Sequence, residues 1–354
     1  MKKWIYFCIH IIFAIAIIIQ IPNFITSDTD ITENKVDITS DIKNTQLEKK
    51  IESVDDTLET SEIIQMIGCK DILRNKKSPF SVAILDSGTF PHQSLKYPKQ
   101  KIISFVDLVN GISLPYDDNG HGTAIAGLIA ANSQEYKGIS PFVDIVSVKV
   151  LDYTGHGYKS TLLEGIQWVI DNRVKYNIKI MNISIGIPTE GYDEISDKIE
   201  EAYDAGIFVI TSSGNDDNAA KMYSPAISKS AIAVGSIEEQ ERKKDFDYHI
   251  ADFSINWKTP NGKSKPDILA PGNNISTIHS NIYYKGKGEL NNDNLYKVNS
   301  GTSLSAAIVT GFVANLIYSS PELSVNEIKS ILYENCVEIV TDNKKQYFIY
   351  YKGD

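Results

Sequence analysis

The chain has 354 residues, 42% of them hydrophobic and 23% charged, with a formal net charge of −10. That is enough material for one large domain or two small ones. It is too acidic to present the basic face that phosphate backbones require, so a nucleic-acid partner is excluded.

Met1-Lys2-Lys3 is a short cationic start, and Trp4 to Ile21 is an almost unbroken apolar run ending at Pro22. This is the pattern of an export signal, and the run is also long enough to span a bilayer. Residues 1–26 are therefore expected to be a signal peptide or a membrane anchor. Either way Lys2 and Lys3 stay inside and the rest of the chain goes out, secreted or tethered to the outer face of the cytoplasmic membrane. If uncleaved, residues 4–21 make the membrane a partner. Residues 27–61 are polar and acidic with no sustained period, as in a linker or a short pro-segment. A short charged helix is possible at 47–58. Of the three cysteines, Cys8 lies in the apolar run, leaving only Cys69 and Cys336 able to pair; free thiols are expected over a bridge.

After Ser61 short β-branched runs alternate with helical stretches, with no sign of a second boundary before Asp354. Strands are expected at 81–85, 144–150, 178–183, 207–211 and 231–234, and helices at 123–131, 161–176, 192–205, 305–318 and 324–333. Each strand is nearly all apolar, which implies cover on both faces. The fold class is α/β: a doubly wound, mostly parallel sheet with helices on both faces, forming one domain over residues 62–354. Residues 346–351 read as a last edge strand.

Three motifs fall where strands end and helices begin, the usual place for function in such sheets. Val82-Ala83-Ile84-Leu85-Asp86-Ser87-Gly88 delivers a carboxylate at the end of an apolar strand. Asp117-Asp118-Asn119-Gly120-His121-Gly122-Thr123 sets a histidine between glycines ahead of a small-residue helix. Asn299-Ser300-Gly301-Thr302-Ser303-Leu304-Ser305-Ala306-Ala307 opens an apolar helix with a serine. Singly, each has a plainer reading, as a turn former, a surface histidine or a helix cap. Together they supply a complete chemistry. A serine hydroxyl needs a base to take its proton, and the base needs a third group to hold its tautomer and stabilise its charged form.

With Asp, His and Ser motifs in this order, the chain from about Glu62 onward resembles the subtilisin-like serine proteases, the subtilases. The resemblance implies that Asp86 orients His121, that His121 is the general base and then acid, and that Ser303 is acylated. Thr211-Ser212-Ser213-Gly214-Asn215-Asp216 is similar to the strand and loop that carry the family's oxyanion-hole asparagine, here Asn215. Asn182-Ile183-Ser184-Ile185-Gly186 resembles one wall of the family's substrate cleft, and Leu151 with Gly155-His156-Gly157 resembles the other. A polypeptide substrate would bind between them by strand addition. Asp216 and Tyr223 are implied at the pocket for the residue preceding the scissile bond, with a modest preference there for Arg or Lys.

The chain also departs from the family. Ala307 stands where the family usually has Pro. His92-Gln93-Ser94-Leu95 resembles a His-Pro-Asp-Leu stretch whose Asp binds calcium, but Ser94 is no carboxylate and the loop 132–137 is short. No metal ligand is therefore assigned and no cofactor is expected; calcium remains possible, but without its usual ligands. A monomer is expected. The reading is an extracytoplasmic endopeptidase that processes a peptide precursor, such as the leader of a lantibiotic-type bacteriocin. The alternatives are a broad degradative secreted subtilase and, less favoured, an inactive peptide-binding relative.

Overall fold

The computed structural model describes residues 38–40, 57–69, 80–96, 98–215, 221–239, 248–287, 296–341 and 344–352. The apolar run at 4–21, most of segment 27–61 and Asp216 lie outside these residues. The main sheet is built on Ser81–Asp86 (β2), Ile102–Asp107 (β3), Asp144–Lys149 (β4), Ile178–Ile183 (β6), Phe208–Ser212 (β8), Ala231–Glu239 (β10) and Ile268–Pro271 (β14). These run parallel in the order β14-β10-β8-β6-β2-β4-β3. Ile38–Ser40 (β1), His156–Gly157 (β5), Ile185–Thr189 (β7) and Met222–Ser224 (β9) form a smaller sheet in the order β5-β1-β7-β9. Tyr248–Ile250 (β11) pairs with β10, Trp257–Lys258 (β12) with Ser264–Lys265 (β13), and Ile275–Ile278 (β15) with Tyr296–Asn299 (β16).

Helices cover both faces, and the period of two along each strand divides the core between them. On one face Val82, Ile84, Ile180, Phe208 and Ile210 pack with His121–Ala130 (α3) and Thr302–Ser319 (α6). On the other, Ala83, Leu85, Met181, Ile183 and Val209 pack with Lys159–Asn172 (α4) and Glu194–Asp204 (α5). Each fully buried aliphatic side chain contributes about 1.5–3 kcal/mol. Helices α3 and α6 are buried around nearly their whole circumference because they lie inside the molecule, one against the other.

Helix starts follow their caps. Asp193 accepts from the Ser196 amide at the head of α5, and Ser324 from the Glu327 amide at the head of Val325–Glu334 (α7). The remaining described helices are Thr60–Met66 (α1) and Gln93–Lys96 (α2). Helix α4 stops at Asn172, four residues short of the expected end. There the Asn172 amide donates back to the Trp168 carbonyl, and Asn177 in the left-handed region (φ 49°) turns the chain into β6. The C-terminal strand corrects another expectation. Lys344–Ile349 (β18) is not an edge, because it lies between β14 and its hairpin partner Cys336–Thr341 (β17), which is the outer one. Strand β3, for which no strand was expected, is half exposed along its middle and so lacks the all-apolar pattern of its neighbours. Cys69 and Cys336 are both free and buried.

Candidate active site

The parallel strands end together on one side of the sheet, and three of them deliver chemistry there. β2 ends in Asp86, β6 leads into Ser184, and β8 leads through Ser213 and Gly214 to Asn215. Helices α3 and α6 begin on the same side, so His121 is the first residue of one and Ser303 the second of the other. Asp86, His121 and Ser303 are all buried.

Asp86 holds His121 with both carboxylate oxygens, 2.7 and 2.8 Å from Nδ1. The close approach depends on Gly122, where a Cβ would come within 2.1 Å of the Gly88 carbonyl and 3.1 Å of Asp86 Cβ. Asp117 fixes the loop around the histidine. One of its oxygens accepts from Ser87 Oγ and the Asn119 and Gly120 amides, and the other from the amide and hydroxyl of Thr123. Beneath the loop lies a fully buried lysine. Lys149 Nζ donates at 2.7 Å to the carbonyls of Ser87 and Leu151 and to Asp118 Oδ1. Burial alone would raise the Asp118 carboxyl, but hydrogen bonds and charge from Lys149 and Lys285 overcome this and hold it below the usual carboxylate range. His279 packs against Gly120, and burial lowers its pKa.

Ser303 is tied to the cleft wall. Its hydroxyl donates to the Ser184 carbonyl at 3.5 Å, and its own carbonyl accepts from Ser184 Oγ at 3.2 Å. Asn182 supports Ser184 through its Nδ2 and accepts from Thr310 of α6 at 2.8 Å, locking the wall to the helix. Asn215 Oδ1 accepts from the Thr302 amide at 2.9 Å. Asp117 and Lys149 have no assigned role in the sequence reading, and Asn182 enters it only as the first residue of the cleft-wall stretch. A buried-strand lysine and an asparagine inside the run Ile178–Ile183 were the available signals.

The cleft walls also come together. β5 supplies Gly157 and His156, β7 supplies Ile185 and Gly186, and β1 lies between them, antiparallel to both. Gly155 makes the turn before β5, and Leu151 is buried beneath the same wall. Tyr223 pairs with Pro188 of β7 and packs against Gly214, next to Asn215. Asp216, expected at the same pocket, lies outside the described residues. At 92–95 the residues do not fit a calcium site: Ser94 bonds Ser133 through its hydroxyl, and its amide donates to His92 Nδ1. Among the described residues no three His, Cys, Asp or Glu side chains gather in one place.

Residues 77–348 match the model of the subtilase family. The chain is 33% identical over 312 residues to the serine protease AprX of Bacillus subtilis, covering 83% of this chain and 69% of that protein. It is 31% identical over 271 residues to the minor extracellular protease Epr of the same organism, covering 76% of this chain and 37% of that one. Among solved structures, a cold-adapted subtilisin-like serine proteinase superposes with a TM-score of 0.62 at 24% identity, over 79% of this chain and 93% of its own; at that identity the likeness speaks for the fold alone.

Proposed function

The chain belongs to the subtilase family and is a subtilisin-like serine protease, and from that premise we propose that Asp86, His121 and Ser303 are its catalytic triad. The observation that carries this is the two-oxygen grip of Asp86 on His121 Nδ1. With Nδ1 held as the donor, the other ring nitrogen is the basic one and takes the proton of Ser303 as its oxygen attacks the scissile carbonyl. His121 then passes that proton to the leaving amine, and water repeats the sequence to release the acyl group. The oxyanion is received by Asn215 Nδ2 and the Ser303 amide at the positive end of α6. Labelling by a fluorophosphonate, abolished in Ser303→Ala and retained in Ser305→Ala, is the expected result. Labelling that survives Ser303→Ala removes the assignment.

The substrate is an extended segment of polypeptide bound between Gly155–Gly157 and Ser184–Gly186, with Leu151 beneath the wall and Tyr223 bounding the pocket beside Asn215. β1 supports this, because a piece of the chain itself already lies there as a strand. Its register runs Thr39 opposite Gly186 and then Ser40 opposite Ile185, toward Ser184 and Ser303. Residues 27–61 accordingly act as a short pro-segment, of which Ile38–Ser40 pairs with the cleft strands in the manner of a substrate. Sequencing the N-terminus of the purified wild-type and Ser303→Ala chains tests this: a cut beyond Ser40 is expected only in the wild type.

The name of Epr as an extracellular protease and the cationic, apolar start of this chain support action outside the cytoplasmic membrane. Residues 1–26 act as signal or anchor and residues 62–354 as the peptidase. The physiological substrate is a peptide precursor such as a bacteriocin leader. Profiling against a peptide library is expected to show a modest preference for Arg or Lys before the scissile bond; cleavage without preference supports the degradative alternative.

A further inference from the structure

A cavity of about 830 Å³ lies on the described surface between the hairpin β12–β13, helix α7 and strand β18. That is a small-molecule volume, larger than a single ion needs. Its walls hold Lys258, Lys263, Lys265, Lys329 and Lys345, with one carboxylate, Asp267. In a chain of net charge −10 this is a marked local excess of cations.

The charges do not cancel within the cavity. Asp267 is shared by two ammoniums, Lys265 at 2.6 Å and Lys263 at 2.8 Å. Lys345 pairs with Glu338 at the exposed rim. Lys329 donates to a neutral acceptor, the Lys229 carbonyl, and among the described residues neither Lys329 nor Lys258 is paired with a carboxylate. Burial, and then the charge of Lys263, push the Lys329 ammonium below its ordinary value against the pull of Asp267. Lysines are point charges with freely rotating donors, a set that suits tetrahedral phosphate oxygens better than one fixed carboxylate plane.

The inner wall of this cavity also reaches the catalytic side of the sheet. Trp257 lines the cavity, and its Nε1–H donates to the Ser213 carbonyl at 3.2 Å, two residues before Asn215. The same ring packs in a cluster with Tyr223 and Ile255, and Asn215 forms a backbone bridge with Ser254 just ahead of the hairpin.

We propose that this cavity is an effector site for a small molecule carrying two or more phosphate groups, held by Lys258, Lys263 and Lys329, and that Trp257 transmits its occupancy to the Ser213–Asn215 segment. The coupling rests on the role of Asn215 proposed above, and the binding does not. Inorganic tripolyphosphate is the probe, with sodium sulfate at matched ionic strength as the control. Calorimetry on the full chain is run with the wild type, Ser303→Ala, Lys258→Gln, Lys329→Gln and, outside the cavity, Lys175→Gln. Binding is expected in the wild type, Ser303→Ala and Lys175→Gln, weakened about tenfold in each of the other two, the step for one lost charge-assisted contact. Lys258→Gln alters an exposed side chain and keeps the test valid if Lys329→Gln fails to fold. Bound tripolyphosphate is expected to change kcat for a short peptide by about fivefold or more, with a smaller change in KM. Trp257→Phe keeps an aromatic ring, though a smaller one, loses the Nε1–H, and should abolish that change while still binding. Equal affinity across all variants, an effect reproduced by sulfate, or binding that leaves kcat unchanged overturns the proposal. A chain inactive toward every peptide removes the catalytic reading instead, while calorimetry still decides the site.

Discussion

The floor of the active site and the walls of the cleft are held in different ways. On the floor, side chains fix side chains: Asp86 grips His121, Asp117 gathers five donors, and Lys149 joins two carbonyls to Asp118. Where the walls meet β1 the pairing is backbone to backbone, Gly157 and Gly186 each opposite a residue of that strand. A ladder of amides accepts almost any sequence, whereas a network of named side chains accepts almost no change. Substitutions on the floor should therefore cost rate or stability, and substitutions on the walls should mainly shift selection.

The largest effect expected is on rate. On the proposed oxyanion role, Asn215→Ala should lower kcat about 10²–10³-fold and leave KM nearly unchanged, because such a donor acts on charge present only in the transition state. A matching rise in KM would make Asn215 a binding residue and move it from floor to wall. Next comes Lys149→Met, which leaves two buried carbonyls without a donor and Asp118 with Lys285 alone. A loss of about 3 kcal/mol is expected in denaturant unfolding of the Ser303→Ala background, where self-digestion cannot interfere.

A smaller effect follows from pH. The Asp118 carboxyl is held below its usual value of 3.8, so its stabilisation is fully present above that pH and is lost as the pH falls through the lower folded value. Unfolding midpoints measured from pH 6 downward should fall less steeply below pH 4 in Asp118→Asn than in the wild type. On the wall, His156→Ala removes a partly exposed side chain but keeps the strand, and kcat/KM should change by less than about threefold. A tenfold loss would show that this wall also works through its side chains. Least of all, the thiols of Cys69 and Cys336, pushed up to about 12 by burial, should resist iodoacetamide at pH 8 in the folded protein and react after unfolding.

The same division governs what the sequence reveals. Asp86, His121 and Ser303 are legible because the chemistry demands those residue types beside glycines and at element ends. The strands around them are legible because burial on both faces makes them apolar. Lys149 is hidden, since the run Asp144–Lys149 announces a strand and nothing in it shows three acceptors converging on its last side chain. Ser184 reads as a wall residue, while its contacts to Ser303 depend on α6 arriving from 119 positions away. Strand β1 is hidden for the opposite reason: three residues in a polar segment have no period, and only their partners make them a strand. The lysine cavity collects residues from 258 to 345, each ordinary where it stands in the chain.

Helix α6 has a consequence for biosynthesis. It is long and apolar enough to cross a membrane, and 89% of it is buried in the fold. A chain exported unfolded would present this segment to the bilayer before any fold exists to bury it. What distinguishes it from a span is polar: Thr310 and Asn315, which in the finished fold bond Asn182 and the Ile139 carbonyl, would have no such partners among acyl chains. The side chains that tie this helix to the substrate wall and to the loop before β4 thus also favour its passage into water, where folding can proceed.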